Sequence, residues 1–225
     1  QPVDRIKKLN KRTKVIVYDH HKSVEEDLKR LRIDGDYGEG NRAACKVVWV
    51  NVMGTETPEV IELISDHDNW NNQDKKRWED KIEPFQYAMQ SKKTDPNTEE
   101  GWETWLNIFD IILDSGEYCP DEAETKYIED TISEGNIILK YIRNTNEIDI
   151  KDMSFELDFE GYRFIVINGG KGSMIFDSGF DSDIHDGMMT FRNVKNNKWS
   201  VSMYGVNGRI DFSEIAKKYG GGGHC

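Results

Sequence analysis

The sequence lacks three features that would each define a class of protein. Its three cysteines (Cys45, Cys119 and Cys225) are odd in number and form no Cys-x-x-Cys pair, which argues against a disulfide framework or a zinc knuckle. No apolar run approaches the roughly 18 residues that cross a bilayer, and no secretory signal is recognisable. The net charge of −12 argues against a protein that coats long duplex nucleic acid. We therefore expect a cytoplasmic protein that does not act at a membrane.

The composition is that of a globular protein, and the residue patterns predict an α/β fold. A β-branched run at residues 13–18 predicts a buried strand, and apolar residues three and four apart predict helices as far as residue 143. Alternating apolar residues at 155–159 and a denser apolar run at 164–167 predict strands, and two further strands are predicted at 187–192 and 199–204, on either side of the turn at 196–197. We expect residues 144–152 to link the last of these helices to the strands. The predicted parts are an α/β domain with a parallel sheet at 1–115, a helical linker at 116–150 and a smaller α+β domain at 151–225.

The sharpest local signal is Asp19-His20-His21, which follows the predicted strand directly. Open α/β sheets place their sites at the carboxyl ends of strands. An imidazole binds a divalent metal through one nitrogen, and a carboxylate that holds the other nitrogen fixes the tautomer of the ring. The alternative is a pair of polar loop residues, which is the commoner case for an isolated His-His pair.

Two further segments carry residue types that suit phosphate chemistry. Asp66-His67-Asp68 brings two carboxylates together, which suits hard cations such as Mn²⁺ or Mg²⁺, although a solvated loop explains it equally well. Gly220–Gly223, followed by His224, exposes backbone N–H groups to which a phosphate can bind. A linker is the commoner explanation for such a glycine run.

Taken together, these segments resemble the motifs of one family. The stretch VIVYDHHKS at residues 15–23 is similar to the family's third motif, and Asp66 with Trp70 four residues later is similar to its fourth. Residues 199–224, WSVSMYGVNGRIDFSEIAKKYGGGGH, are similar to the end of its second domain. Order and spacing agree over nearly the whole chain, and the specificity comes from the combination. The family is that of the DHH/DHHA1 phosphoesterases, and its oligoribonuclease and cyclic-nucleotide phosphodiesterase branch is the most similar.

The resemblance implies roles for the residues of the first two segments. His20 matches the metal-ligating histidine of the family, and Asp19 matches the carboxylate that supports it. His21 matches the residue that faces the scissile phosphate, so that Asp19 and His21 are the implied catalytic pair. Asp66 matches the metal ligand of the fourth motif, and Asp68 is a further metal-ligand candidate because the register can be read either way. The implied metal is Mn²⁺, with Mg²⁺ as the alternative.

The glycine run matches a clamp for the phosphate of the substrate in this family. The implied clamp residues are Gly221, Gly222, Gly223 and His224. Arg192 is a further anion-binding candidate in the second domain because of its charge.

Other conspicuous residues are expected to have ordinary structural roles. The segment Gly169–Gly172 lacks the spacing of a P-loop and predicts a turn, although its Lys171 could approach a phosphate. Trp102 and Trp105 lie on the apolar face of a predicted helix and are expected in the core rather than stacked on bases. His67 and His185 are expected to be exposed to solvent.

The implied activity is metal-dependent hydrolysis of phosphodiester bonds in short oligonucleotides or in linear or cyclic mono- and dinucleotides. Two family motifs that precede the DHH triplet supply most ligands of a two-metal site, and they are not found here, since Asp4 is the only aspartate before Asp19. We therefore expect residues 1–115 to be a partial DHH domain and 151–225 a C-terminally incomplete DHHA1-like domain. This chain alone should hydrolyse little or nothing. The alternatives are a noncatalytic nucleotide-binding module and a pyrophosphate or polyphosphate hydrolase.

Overall fold

The chain is an α/β protein, and the part of it that the structure describes has two sheets, one of two parallel strands and one of four mixed strands. The residues that the computed structural model describes are 2–38, 42–54, 56–113, 122–206 and 210–222. The chain divides into two compact units, Gln1–Leu139 and Lys140–Cys225, which we call unit 1 and unit 2. The division falls inside the predicted linker, so that residues 140–150 are grouped with the second unit.

Unit 1 contains the parallel sheet and most of the helices. Strand β1 (Ile16–Tyr18) pairs with β2 (Asp34–Asp36), and Tyr18 lies opposite Asp36. A π-helical turn, Trp78–Ile82, joins α5 to α6. The helices that begin in unit 1 are α1 (Pro2–Asn10), α2 (Lys22–Arg30), α3 (Ala44–Val52), α4 (Glu59–Asp68), α5 (Lys75–Arg77), α6 (Glu83–Ser91), α7 (Glu99–Leu113) and α8 (Glu122–Met153).

The core of unit 1 forms where the apolar stripes of these helices meet. Its fully buried side chains include Val60, Leu63 and Phe85. The prediction for α7 is wrong for Trp102, which is 53% exposed, because the buried stripe of this helix runs through Gly101 and Ile108. Trp102 is displaced by about 100° from that stripe. Over the described ranges, no helix has the length and apolarity needed to cross a membrane.

Unit 2 is built on the mixed sheet, and each of its strands lies where the sequence predicts one, at residues 155–159, 164–167, 187–192 and 199–204. Its strand order is β3-β4-β5-β6, with a parallel β4–β5 pair between two antiparallel pairs. The prediction of a linker at 144–152 is wrong, because α8 continues helically to Met153 and buries Ile150 in the core. The elements that follow α8 are β3 (Phe155–Phe159), β4 (Tyr162–Asn168), a 3₁₀ turn (Ser173–Phe176), β5 (Gly187–Val194), a second 3₁₀ turn (Lys195–Asn197), β6 (Lys198–Tyr204) and α9 (Ser213–Lys218).

The two faces of this sheet pack against different partners. One face carries Ile165, Ile167 and Met188, which pack with Ile150 of α8 and with the 3₁₀-turn residue Phe176. The side chains on the opposite face pack with Phe212 and Ile215 at α9; they include Phe164, Val166 and Met189. Both faces are therefore covered by apolar contacts over part of their length.

Candidate functional site

Asp19 organises the chain directly after β1. Its N–H donates to the carbonyl of Asp36, 3.1 Å away, and extends the pairing with β2. Its Oδ1 accepts hydrogen bonds from the N–H groups of His20 at 2.7 Å and His21 at 3.2 Å, and α2 begins after His21. Burial opposes ionisation of Asp19, but the hydrogen bonds from the ring and backbone of His21 outweigh it and lower the pKa of the carboxyl. The carboxylate is thus held ionised at the strand end.

The imidazole of His21 is bound to the same carboxylate. Its Nδ1 lies 2.6 Å from Asp19 Oδ1, so that Nδ1 carries the proton and the lone pair lies on Nε2. A carboxylate that orients a histidine in this way also raises the basicity of the other ring nitrogen. The resemblance assigns this supporting carboxylate to His20, whereas the structure pairs it with the ring of His21.

His20 makes two different contacts. Its Nδ1 accepts a hydrogen bond from the N–H of Ala44 at 3.1 Å, and its Nε2 lies 3.3 Å from Asp68 Oδ2. A neutral ring in this arrangement carries its proton on Nε2. Gly38 packs directly on this histidine, because an added Cβ would lie 2.7 Å from His20 Cβ. The ring is held between the loop after β2, the start of α3 and the end of α4.

The structure separates the roles of the two aspartates at the end of α4. Asp68 is the one that lies beside His20. Asp66 accepts a hydrogen bond from Asn71 Nδ2 at 2.9 Å and is ion-paired with Arg77, whose Nη2 is 3.3 Å from Oδ2. Burial lowers the pKa of Arg77, but Glu59 and Asp66 outweigh burial and raise it. Asp66 is therefore engaged in a charge pair that links α4 to α5.

The residues around Asp66 form an aromatic cluster. His67 stacks on Trp78 with ring centroids 5.5 Å apart, and Trp70 contacts both rings. The expectation that His67 is exposed is wrong, because this stacking half-buries it, and burial lowers the pKa of its imidazole. The aromatic residue of the predicted fourth motif, Trp70, thus packs on His67 and Trp78.

Asp19, His20 and His21 could supply ligands to one metal ion. Each offers one atom, and these atoms lie within 4.8 Å of one another. Carboxylate oxygen and imidazole nitrogen suit Mn²⁺, whereas Mg²⁺ prefers oxygen alone. These ligand atoms therefore fit the predicted Mn²⁺ better than Mg²⁺. His20 can bind the metal only when one of its ring nitrogens has a lone pair that is not already in a hydrogen bond.

The predicted phosphate clamp is described only in part. Gly223 and His224 lie outside the described residues. Gly221 donates its N–H to the carbonyl of Ala216 at 2.8 Å, and Gly220 adopts a φ of +79°. This is the Schellman arrangement that ends helices, so the first glycines of the run terminate α9. A role of Gly221 and Gly222 in binding phosphate stays a prediction.

Arg192 lies on β5 beside the predicted turn Gly169–Gly172, and both line a cleft in unit 2. The hydroxyl groups of this cleft, which come from Thr190, Ser200 and Ser202, were not predicted as site residues. Ser200 and Ser202 are two residues apart on one strand and Thr190 lies on the next strand, a pattern that can place their side chains on one face of the sheet. The pattern predicts a common site only once the strand register is known. His185 was expected to be exposed and is buried, with Nδ1 accepting from the N–H of Asp181.

Comparison of the chain with protein-family models, with curated proteins and with solved structures found no match in any of the three.

Proposed function

We propose that this chain is a metal-dependent phosphodiesterase of the DHH type, which acts on short oligonucleotides or on linear or cyclic mono- and dinucleotides. The observation that carries the proposal is the convergence of Asp19, His20 and His21 at the carboxyl end of a parallel strand. Asp68 lies beside this cluster and supplies a second carboxylate. The combination provides oxygen and nitrogen donors for a divalent cation next to a histidine whose tautomer is fixed.

In this proposal His21 is the residue that exchanges a proton with the substrate or with water. Asp19 keeps the proton of His21 on Nδ1, so that Nε2 is the nitrogen that accepts one. A bound Mn²⁺ would lower the pKa of water and polarise the phosphoryl oxygens. His20, Asp19 and Asp68 are its proposed ligands, with Asp66 as the further candidate from the resemblance.

A second candidate function is a nucleotide-binding module without catalysis, and the contacts of His20 favour it. Its Nδ1 accepts the N–H of Ala44, so a metal at Nε2 would have to displace the proton shared with Asp68. If that proton moved to Nδ1, the Nδ1–H group of His20 would point at the N–H of Ala44, and the two hydrogen-bond donors would repel each other. His20 must therefore rotate, or lose the hydrogen bond from Ala44, before it can bind a metal.

The test is to measure Mn²⁺ binding by electron paramagnetic resonance and hydrolysis of a labelled dinucleotide with the same preparation. His21→Ala should lower any hydrolysis by roughly 10²-fold or more, since general acid–base groups contribute 10²–10⁴. Asp19→Asn should weaken Mn²⁺ binding by roughly 10-fold or more, because it removes a proposed ligand and the loss of even a supporting carboxylate costs roughly 10–100-fold. Asp80→Asn, an exposed aspartate of unit 1, makes the same change in charge and should alter neither.

Each outcome decides between the two functions. Turnover that requires Mn²⁺ and His21 supports the phosphodiesterase, and preference for pyrophosphate over the dinucleotide would identify a pyrophosphatase instead. Because this chain alone is expected to hydrolyse little, nucleotide binding with neither Mn²⁺ binding nor turnover is the result that would replace the enzyme by the binding module. A chain that binds no Mn²⁺, or binds it equally well after Asp19→Asn, would overturn the proposed metal site.

A further inference from the structure

Unit 2 contains a polar cleft of about 180 Å³ between the Gly169–Gly172 loop and the β5–β6 pair. The loop follows β4 and runs along one wall, and the two strands form the floor. The side chains that line the cleft are those of Lys171, Thr190, Arg192, Ser200, Ser202 and Tyr204. Among these residues there is no carboxylate.

The strand register explains why so many hydroxyl groups meet here. Thr190 pairs with Ser202 and Arg192 pairs with Ser200 across the antiparallel strands. Side chains of directly paired residues lie on the same face, as do those two positions apart. The same face holds Met188 in the apolar core, so the core ends at Thr190 and a polar ladder begins. Thr190, which is 4% exposed, is the buried member of that ladder.

Arg192 brings a charge to this ladder. No described residue is hydrogen-bonded or ion-paired to its guanidinium. The guanidinium lies over Gly170, where an added Cβ would be 2.5 Å from Nη1. The absence of a side chain at Gly170 therefore lets the arginine lie close to the backbone of the loop.

Lys171 contributes structure more than charge. Its Nζ donates to Asn146 Oδ1 at 2.9 Å and to Asp149 Oδ2 at 2.5 Å, and both acceptors belong to α8. The ion pair with Asp149 compensates the lysine and fixes the loop. The cleft consequently has a net positive charge from Arg192, although the chain has a net charge of −12.

We propose that this cleft binds a phosphate group of a nucleotide, with Arg192 as the charged anchor and Thr190, Ser200 and Ser202 as hydrogen-bonding partners. Guanidinium groups bind phosphate oxygens through short charge-assisted hydrogen bonds, and hydroxyl and glycine N–H groups complete such sites. The identity of the ligand as a nucleotide rests on the proposed function. The binding of the phosphate itself does not, since no residue of the Asp19 cluster takes part.

The test measures binding to the whole chain by calorimetry in EDTA, so that metal and hydrolysis play no part. The probes are 5′-AMP, the diester ApA, inorganic phosphate and adenosine. Arg192→Gln should weaken AMP binding about tenfold or more, because charge-assisted hydrogen bonds are the strong ones and each 1.4 kcal/mol is tenfold. Arg163→Gln removes an arginine from the same sheet, outside the cleft, and should leave the affinity unchanged. Adenosine should not bind.

Two variants test the arrangement without removing the anchor. Gly170→Ala displaces the guanidinium and should weaken AMP binding about threefold, a smaller loss than that from deleting the charge. Asp149→Asn leaves the charge of Lys171 uncompensated and should strengthen AMP binding about threefold, an increase that loss of structure would not produce.

The comparison of AMP with ApA distinguishes a terminal phosphate from an internal one. Equal affinity of the parent chain and Arg192→Gln for all phosphate probes would overturn the proposal, as would equal binding of adenosine and AMP. Loss of AMP binding in Arg192→Gln, in a chain that binds no Mn²⁺, would keep the phosphate site and reject the phosphodiesterase. The two proposals can therefore fail separately.

Discussion

At the end of β1 in unit 1, the polar side chains are carboxylates and imidazoles, whereas along β5 and β6 in unit 2 they are hydroxyls and a guanidinium. The first group consists of Asp19, His20 and His21, whose ligand atoms lie within 4.8 Å of one another. The second surrounds Arg192 in a cleft whose described lining has no carboxylate. Unit 1 therefore offers electron pairs to a cation, and unit 2 offers hydrogen-bond donors to an anion.

The difference shows that the positions of individual charged groups decide which ion a site attracts, even when the net charge of the whole chain would favour the other sign. A protein with a net charge of −12 repels anions at long range. Over a few ångströms, however, a single unpaired guanidinium beside hydroxyl groups provides a strong interaction with phosphate. The compensated pair Lys171–Asp149 shows the opposite case, in which a cation close to the cleft adds little net charge.

The largest expected effect is that the two units respond to different ligands. At a hundred times its Kd, a ligand stabilises the state that binds it by about 2.7 kcal/mol. Mn²⁺ should therefore slow hydrogen exchange in residues 16–20 and 44–52, and AMP should slow it in residues 187–204. Hydrogen exchange with peptide resolution, with each ligand added separately, measures both. Protection of the same peptides by both ligands would end the distinction between a cation site and an anion site.

The second prediction tests how closely the cation site depends on the packing of Gly38. Gly38 has a φ of +73°, and an added Cβ would lie 2.6 Å from the carbonyl oxygen of Arg42 as well as against His20. Gly38→Ala should cost roughly 2 kcal/mol of unfolding free energy through backbone strain and contact. By moving His20, it should also weaken Mn²⁺ binding roughly tenfold. Urea denaturation and a Mn²⁺ titration measure the two effects.

Gly54→Ala is the matched control for this substitution. Gly54 has a φ of +65°, but an added Cβ would meet nothing within 4 Å. Gly54→Ala should lower the free energy of unfolding only by the roughly 1 kcal/mol that a left-handed backbone conformation costs, and it should leave Mn²⁺ binding unchanged. If both variants weaken Mn²⁺ binding equally, the contact of Gly38 with His20 has no part in the site.

Local patterns predicted many of the elements, but not β2 or the continuation of α8 to Met153, and they did not predict the pairing of side chains. The β-branched run before Asp19, the alternation in β3 and the dense apolar run in β4 indicated strands because each pattern is typical of extended backbone. The same patterns do not say which imidazole Asp19 binds, since His20 and His21 are adjacent and differ only in their rotamers. Nor could they choose between Asp66 and Asp68, whose partners Arg77 and His20 lie in other elements.

The cleft around Arg192 was still harder to predict from the sequence. Arg192 was chosen for its charge, but its surroundings depend on the register that pairs Thr190 with Ser202 and on the loop after β4. The approach of Gly170 to Arg192 is a contact between residues distant in sequence, and no local pattern predicts it. The burial of His185 was missed for the same reason.

The third prediction tests whether the hydroxyl ladder contributes to binding. Thr190→Val keeps the shape of the side chain and removes its hydroxyl group. It should weaken AMP binding about threefold to tenfold, corresponding to one hydrogen bond of about 0.5–1.5 kcal/mol. Thr131→Val, a change at a buried threonine of unit 1, is the control and should leave AMP binding intact. Equal affinities of the Thr190 variant and the parent chain would remove Thr190 from the site.

The smallest expected effect concerns an ion pair of unit 1 that has no part in either site. Hydrogen bonds from Lys92, 2.7 Å away, and from Ser91 lower the pKa of Glu134 below 4.5. Because the folded-state pKa is depressed, this stabilisation is fully present above the unfolded-state value and is lost as the pH falls through the folded-state value.

Glu134→Gln should therefore reduce the unfolding free energy at pH 7 by less than about 1 kcal/mol, since the pair is partly exposed. The difference from the parent chain should shrink below pH 4.5 and vanish once Glu134 is protonated in the folded state. Urea denaturation across this pH range measures it, with the exposed Glu129→Gln in the same helix as control. A difference that stays constant with pH would show that Glu134 acts through packing rather than charge. Binding of AMP by unit 2 should be the same in both variants at pH 7, because neither glutamate lines the cleft.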